Sequence, residues 1–225
     1  MTTTNVLMVV TSHSDIDQER KTGIWWSEFA EAYKAFADQG WSIVVASPLG
    51  GRAPVDPASV SVGTDEAQHG FAEARTRLED TVKLDTLSHD RFDAIVLPGG
   101  HGAMYDLPGH PKLQTLLRDF YESGKLVAAV CHGPAALVGT LLSDGSPLVA
   151  GRRVNAFTDR EEAETTLAPQ LPFLLETRLR ELGAIFVAAP NWTSHYEADG
   201  NLITGQNPQS TLAVAAAVID YLRKG

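Results

Sequence analysis

The chain has 225 residues, 44% hydrophobic and 20% charged, the proportions of an ordinary globular protein large enough to bury a sizeable core. Its formal charge of −10, with Lys and Arg scattered, argues against a nucleic-acid or anionic-membrane binder, because phosphate recognition needs clustered cations. The nearest approach to a cluster, Arg152-Arg153, reads as a solvated surface pair. The single cysteine cannot close an internal disulfide, and no uncharged apolar run approaches the ~20 residues of a membrane span. The opening MTTTNVLMVVTSHSD lacks the basic segment of a secretory signal, so a cytoplasmic protein is expected.

In chain order, short apolar runs alternate with longer helical patterns. The pattern predicts a strand at Val6–Thr11, a helix at Trp25–Gln39, a strand at Ser42–Ser47 and a helix at Glu66–Asp80. A strand at Ala94–Leu97, a helix at Pro111–Ser123, a strand at Leu126–Val130 and a helix at Pro134–Leu142 follow. The last part predicts strands at Arg153–Phe157 and Ala184–Ala188 around a helix at Glu161–Leu182. An edge strand at Leu202–Thr204 and a helix at Gln209–Arg223 complete the chain. Several strands are continuously apolar, as when both faces of a parallel sheet are covered. The order implies one open, doubly wound α/β domain over residues 1–225, and the Gly- and Pro-rich PLGGRAPVDP is a loop within it.

In such sheets ligands sit at the carboxyl ends of the strands, where Ser12–Gly23, Pro98–Met104 and Cys131–Pro134 fall. A lone cysteine at a strand end is commonly just a small buried hydrophobe. Here Ala129 and Gly133 flank Cys131 at −2 and +2, His132 adjoins it, and Pro134 suits the first turn of a helix. That is the pattern of a nucleophile elbow, which presents its side chain above the sheet. A helix N-terminus and a neighbouring His can lower a thiol pKa from ~8.5 to roughly 3.5–7.5, so a presented thiolate is expected. The preceding DAIVLPGGHG lacks the spacing of a dinucleotide fingerprint and the Lys-Ser/Thr of a phosphate loop. Its glycines instead suit close backbone approach and amides aimed at a developing oxyanion.

LPGGHGAMYDLPGHP paired with KLVAAVCHGPAAL resembles the ThiJ/PfpI superfamily, relatives of class I glutamine amidotransferase domains. KTGIWWSEFAEAY, VVASPLGGRAPVDPAS, FTDREE and DGNLITGQNP resemble its heat-shock-type glyoxalase III branch. The resemblance covers the chain from about Val6 onward. It implies a flavodoxin-like fold with helices on both faces of a mostly parallel sheet, a homodimer, and no organic cofactor. The implied activity is a glutathione-independent glyoxalase (D-lactate dehydratase) acting on a small aldehyde such as methylglyoxal, within a stress response. The alternatives are a cysteine amidase or peptidase, and a holdase chaperone whose cysteine senses oxidation as a sulfinic acid.

By the resemblance, Cys131 is the nucleophile, His132 its base, Glu28 the acid on the sulfur and Glu162 the acid that orients the histidine. Gly100 and His132 would supply oxyanion-hole amides. The helical wheel supports Glu28 independently, placing it at the border of the Trp26/Phe29/Tyr33/Phe36 face. Partial burial there would raise its pKa and leave a carboxyl able to donate. Spacing does not separate Glu162 from Glu161, since acids favour any helix start. His195-Tyr196-Glu197 imitates an amidotransferase His-x-Glu pair but leads into the turn signal Asp199-Gly200-Asn201, so it is expected on a strand. His69, His89 and His110 read as surface residues, and no spacing supports a structural zinc. His13 and His101 are expected to line the pocket, with Trp25 and Trp192 as walls.

Overall fold

A computed structural model describes residues 3–60 and 70–224. Seven strands form one sheet in the order β3-β2-β1-β4-β5-β9-β8. They are β1 (Asn5–Val9), β2 (Ser42–Ser47), β3 (Val82–Lys83), β4 (Ala94–Leu97), β5 (Leu126–Val130), β8 (Tyr196–Asp199) and β9 (Leu202–Gly205). Every pairing is parallel except β8 with β9. A separate two-residue parallel pair joins β6 (Arg153–Val154) to β7 (Ile185–Phe186).

Alternate side chains of the central strands feed two cores. Leu7, Val9, Ile95, Val127 and Ala129 pack beneath α4 (Pro111–Glu122) and α6 (Leu175–Glu181). Val6, Met8, Val96, Ala128 and Val130 meet α1 (Trp26–Ala37), α2 (Ala72–Glu79) and α7 (Thr211–Lys224) on the other face. This is the expected flavodoxin-like sheet covered on both faces, and it explains why β4 and β5 are apolar throughout. The chain departs from β1 toward β2 on one side and returns as β4 on the other. The loops after β1 and β4 therefore diverge at the switch point, and the short α3 (Ala103–Asp106) follows β4. The Asp106 carboxylate ties these loops together, accepting from Thr11 Oγ1 and from the Ser12 amide, each at 2.7 Å.

The structure corrects four sequence expectations. The helix expected at Pro134–Leu142 is a five-residue 3-10 segment, Gly133–Leu137, in which every residue is buried. The helix expected at Glu161–Leu182 is broken into α5 (Asp159–Thr165) and α6 (Leu175–Glu181). Thr166 turns left-handed at φ 64° after α5, and Pro169 and Pro172 supply no amide with which to continue. The strands expected at Arg153–Phe157 and Ala184–Ala188 pair only with each other, outside the main sheet. Leu202–Thr204 lies in β9, an inner strand between β5 and β8, and the strand carrying Tyr196-Glu197 takes the edge. Of the helix expected at Glu66–Asp80, Ala72–Glu79 is helical, whereas residues 66–69, including His69, lie outside the described residues. No helix among the described residues is long and apolar enough to cross a membrane.

Phe120, on the sheet-facing side of α4, has no exposed surface. Phe120→Ala is expected to cost about 3–5 kcal/mol, read as a lowered urea midpoint with an unchanged slope.

Candidate active site

β5 runs into Cys131, whose backbone is left-handed at φ 59°. Only three non-glycine residues among those described take positive φ, and such a conformation persists only where surrounding structure holds it. Both backbone groups of Cys131 are tied down. Its amide donates to the Gly205 carbonyl and its carbonyl accepts from the Phe157 amide, each at 2.9 Å. Two residues on, a Cβ at Gly133 would lie 2.0 Å from the Leu97 carbonyl oxygen, so only glycine lets the turn close against β4. This is the strand–turn geometry expected of an elbow, completed by a 3-10 turn instead of an α-helix.

The groups around the sulfur come from four segments. His132 Nδ1 lies 3.3 Å from Cys131 Sγ, and its other nitrogen, Nε2, lies 2.7 Å from Glu162 Oε2. Glu28, in the first turn of α1, is completely buried and accepts the Gly99 amide at 2.7 Å on Oε2. The same carboxyl interacts with the Cys131 thiol. The fourth segment is the PGGHG loop, where Gly100 has φ 103° and a Cβ would lie 2.3 Å from the Gly23 carbonyl oxygen. The Gly100 amide makes no hydrogen bond among the described residues, whereas the His132 amide interacts with the Cys131 sulfur.

His101, from that loop, places Nε2 2.9 Å from Glu162 Oε1, and its ring centroid is 4.1 Å from that of His132. Thr165 Oγ1 donates to the same Glu162 oxygen at 2.7 Å. The Glu162 carboxylate is therefore clamped between two imidazoles and a hydroxyl. The ligand-type atoms of His101, His132 and Glu162 lie within 4.8 Å of one another, a span one ion could bridge. Their mutual hydrogen bonds already account for the arrangement.

Electrostatics separate the two acids. Burial pushes the Glu28 carboxyl up to about 8, so it is mostly protonated at neutral pH, as its place on the helical wheel implied. Burial opposes ionisation of Glu162 as well, but hydrogen bonds from His101 and His132 hold it well below the usual carboxylate range. Burial and then the neighbouring His101 push His132 down to about 4, so it is neutral at rest. The thiol corrects an expectation: burial, followed by Glu28, pushes Cys131 up. Cys131 is only 3% exposed and the segment that follows it is a 3-10 turn instead of an α-helix, so the resting sulfur is a sheltered thiol, not a presented thiolate.

Glu161 and Glu162, which spacing did not separate, have different partners. Glu161 Oε2 completes a capping box with Thr158, and Oε1 accepts from the Trp192 amide, Gln206 and Asn207. Glu161 thus fastens three segments together, while of the two only Glu162 hydrogen-bonds His132. His195 and Glu197 pair at 3.0 Å, and Glu197 also takes Arg153 at 2.9 Å. That cluster hydrogen-bonds none of Cys131, His132, Glu28 or Glu162. His13 stacks on Tyr105 at 4.4 Å, His110 caps α4, and His89 faces Asp119. Phe157 packs on the His132 ring at 4.5 Å, and the partly exposed Trp192 packs edge-on against Phe157 at 5.5 Å. Trp25 enters through its backbone, its amide donating to the Gly99 carbonyl.

The DJ-1/PfpI family model matches residues 22–221. The glutathione-independent glyoxalase hsp3101 of Schizosaccharomyces pombe is 32% identical over 212 residues, covering 88% of this chain and 86% of its own length. The crystal structure of glyoxalase III from Candida albicans aligns with a TM-score of 0.87 at 28% identity, covering 96% of each chain. Rapid Encystment Protein 24 kDa from Francisella tularensis aligns with a TM-score of 0.92 at 33% identity, covering 97% of this chain and 99% of that one. The match extends over nearly all of the elements that build the site, and the chain belongs to the DJ-1/PfpI family.

Proposed function

We propose that this protein is a glutathione-independent glyoxalase that converts methylglyoxal-type α-oxoaldehydes to 2-hydroxy acids through Cys131. The observation that carries this reading is the buried meeting of one thiol with a protonated carboxyl and a neutral, carboxylate-backed imidazole. Isomerising an oxoaldehyde requires a nucleophile and two groups that exchange protons with adjacent carbons and oxygens. The S. pombe relative is named a glutathione-independent glyoxalase and the C. albicans relative a glyoxalase III. A residue only 3% exposed suits a three-carbon aldehyde better than a polypeptide, which disfavours the peptidase alternative.

In the proposed reaction His132 Nδ1 takes the thiol proton while Sγ bonds to the aldehyde carbon. Glu28 protonates the resulting oxyanion, which the Gly100 and His132 amides stabilise, giving a hemithioacetal. Glu28, now a carboxylate, removes the hydrogen of that carbon as a proton. The electron pair forms the carbon–carbon double bond, and the former ketone oxygen takes the proton from His132, leaving a neutral enediol. Glu28 then returns its proton to the second carbon while the hydroxyl on the first passes its proton to His132, leaving a thioester. Water attacks the thioester and loses a proton to Glu28. The departing sulfur takes the His132 proton, and every group is restored. A carboxyl at about 8 is well matched to this repeated exchange near neutrality. The remaining elements of the proposal are a single domain acting as a homodimer in the cytoplasm during stress. Light scattering on the purified protein tests the dimer.

Cys131→Ala is expected to abolish lactate formation from methylglyoxal while leaving the far-ultraviolet spectrum unchanged; full turnover by this variant would overturn the assignment. Glu28→Gln keeps a neutral donor and an acceptor for the Gly99 amide but cannot exchange protons. Its turnover should fall by about 100-fold or more in the same assay.

Glu28 also makes a pH-dependent contribution to stability. Its folded pKa, about 8, lies above the ordinary 4.5, so between those values the unfolded chain ionises this group while the folded one keeps its proton. Wild-type stability should fall relative to Glu28→Gln as pH rises from 4.5 toward 8, by about 3 kcal/mol at pH 7. Melting temperatures of both proteins at each end of that window measure the difference.

A further inference from the structure

The sequence assigned His101 no more than a place in the pocket wall, yet its strongest contact is with Glu162. An ionised carboxylate only accepts hydrogen bonds, so both imidazoles must present Nε2–H to Glu162. For His132 that choice leaves Nδ1 unprotonated and directed at the sulfur 3.3 Å away. With one partner the carboxylate could turn about its own side chain. With His101 and Thr165 on Oε1 and His132 on Oε2 it cannot turn without breaking a buried hydrogen bond. His101 is itself buried, with a side chain 7% exposed, and reaches Glu162 from the loop after β4.

We propose that His101 is a positioning residue: by occupying one oxygen of Glu162, it holds the other on His132 Nε2 and keeps the bare Nδ1 of His132 on Cys131. This inference rests on the reading of Cys131, His132 and Glu162 as reacting groups.

The titratable groups facing His132 are Cys131 on its own turn, Glu161 and Glu162 from α5, and His101 from the loop after β4, while Glu28 from α1 faces the sulfur. Tyr105 faces Glu162 in turn. Of these neighbours only His101 opposes protonation of His132, acting alongside burial, and the two glutamates of α5 favour it. Removing His101 leaves Oε1 to Thr165 alone and gives His132 a larger share of the Glu162 charge. The imidazole should then protonate at higher pH and lose its ability to accept the thiol proton.

The test compares His101→Phe, which keeps a ring but no donor, His101→Ala, which keeps neither, and His101→Gln, which keeps a donor for Glu162. Two readouts are taken from pH 4 to 9: the rate of Cys131 alkylation by iodoacetamide, and kcat and KM for methylglyoxal. In whichever donor-less variant folds, the acid limb of both profiles should move up by about one pH unit. The kcat should fall by about 10–100-fold with KM little changed. His101→Gln should restore the wild-type limb. An acid limb that stays in place without a donor, or a Gln variant that behaves like the donor-less ones, overturns the proposal. Alkylation needs no turnover. A wild-type protein that forms no lactate would therefore sink the glyoxalase reading and leave the alkylation profiles to judge His101.

Discussion

A cysteine locked in left-handed backbone is the constraint around which the rest of this molecule is arranged. Such a conformation costs on the order of 1–3 kcal/mol for a residue with a Cβ and must be held by its surroundings. Here the hold is threefold: the Gly205 carbonyl on the amide, the Phe157 amide on the carbonyl, and the close approach of Gly133 to Leu97. Those three contacts draw β9, the segment leading into α5, and β4 to one point. The last two bring site neighbours with them, because Glu162 lies five residues beyond Phe157 and the PGGHG loop just beyond Leu97.

Two glutamates of one site end in opposite protonation states, and their hydrogen-bond environments explain why. Glu28 is sealed beneath α1 with a single backbone donor, too little to offset the loss of water, so it keeps its proton. Glu162 is also buried, but two imidazoles and a threonine hydroxyl replace its hydration, so it stays ionised. The cysteine and histidine between them remain neutral. Of these four groups only Glu162 is ionised at rest.

Behind Cys131, His132 and Glu162, Glu161 performs a task of assembly. Its two oxygens accept five hydrogen bonds, from Thr158, Trp192, Gln206 and Asn207. A charged group so well satisfied can be buried without penalty exceeding its gain only while every partner stays in place. The result is a rigid mount for the next residue, Glu162. It also explains why Trp192 is held at φ 60°, with its ring on Phe157 above the histidine pair.

The central strands, the elbow motif and the acid on α1 were legible in the amino-acid order because each depends on local pattern. Unbroken apolar runs marked β4 and β5, small residues flanked Cys131, and Glu28 sat at the edge of an apolar helical face. The prolines at 169 and 172 also carried a signal, since residues without an amide break a helix that periodicity alone would continue. What the chain order could not state was which groups would meet across long separations. The partner of His132 was chosen by the direction in which α5 leaves its capping box, and the second imidazole by a loop 61 residues before Glu162. The state of the thiol was likewise undecided, because burial depends on every segment packed over it. Sequence determined the central strands and the turn that carries Cys131; tertiary structure decided the proton positions, because desolvation and hydrogen bonding are properties of the assembled site.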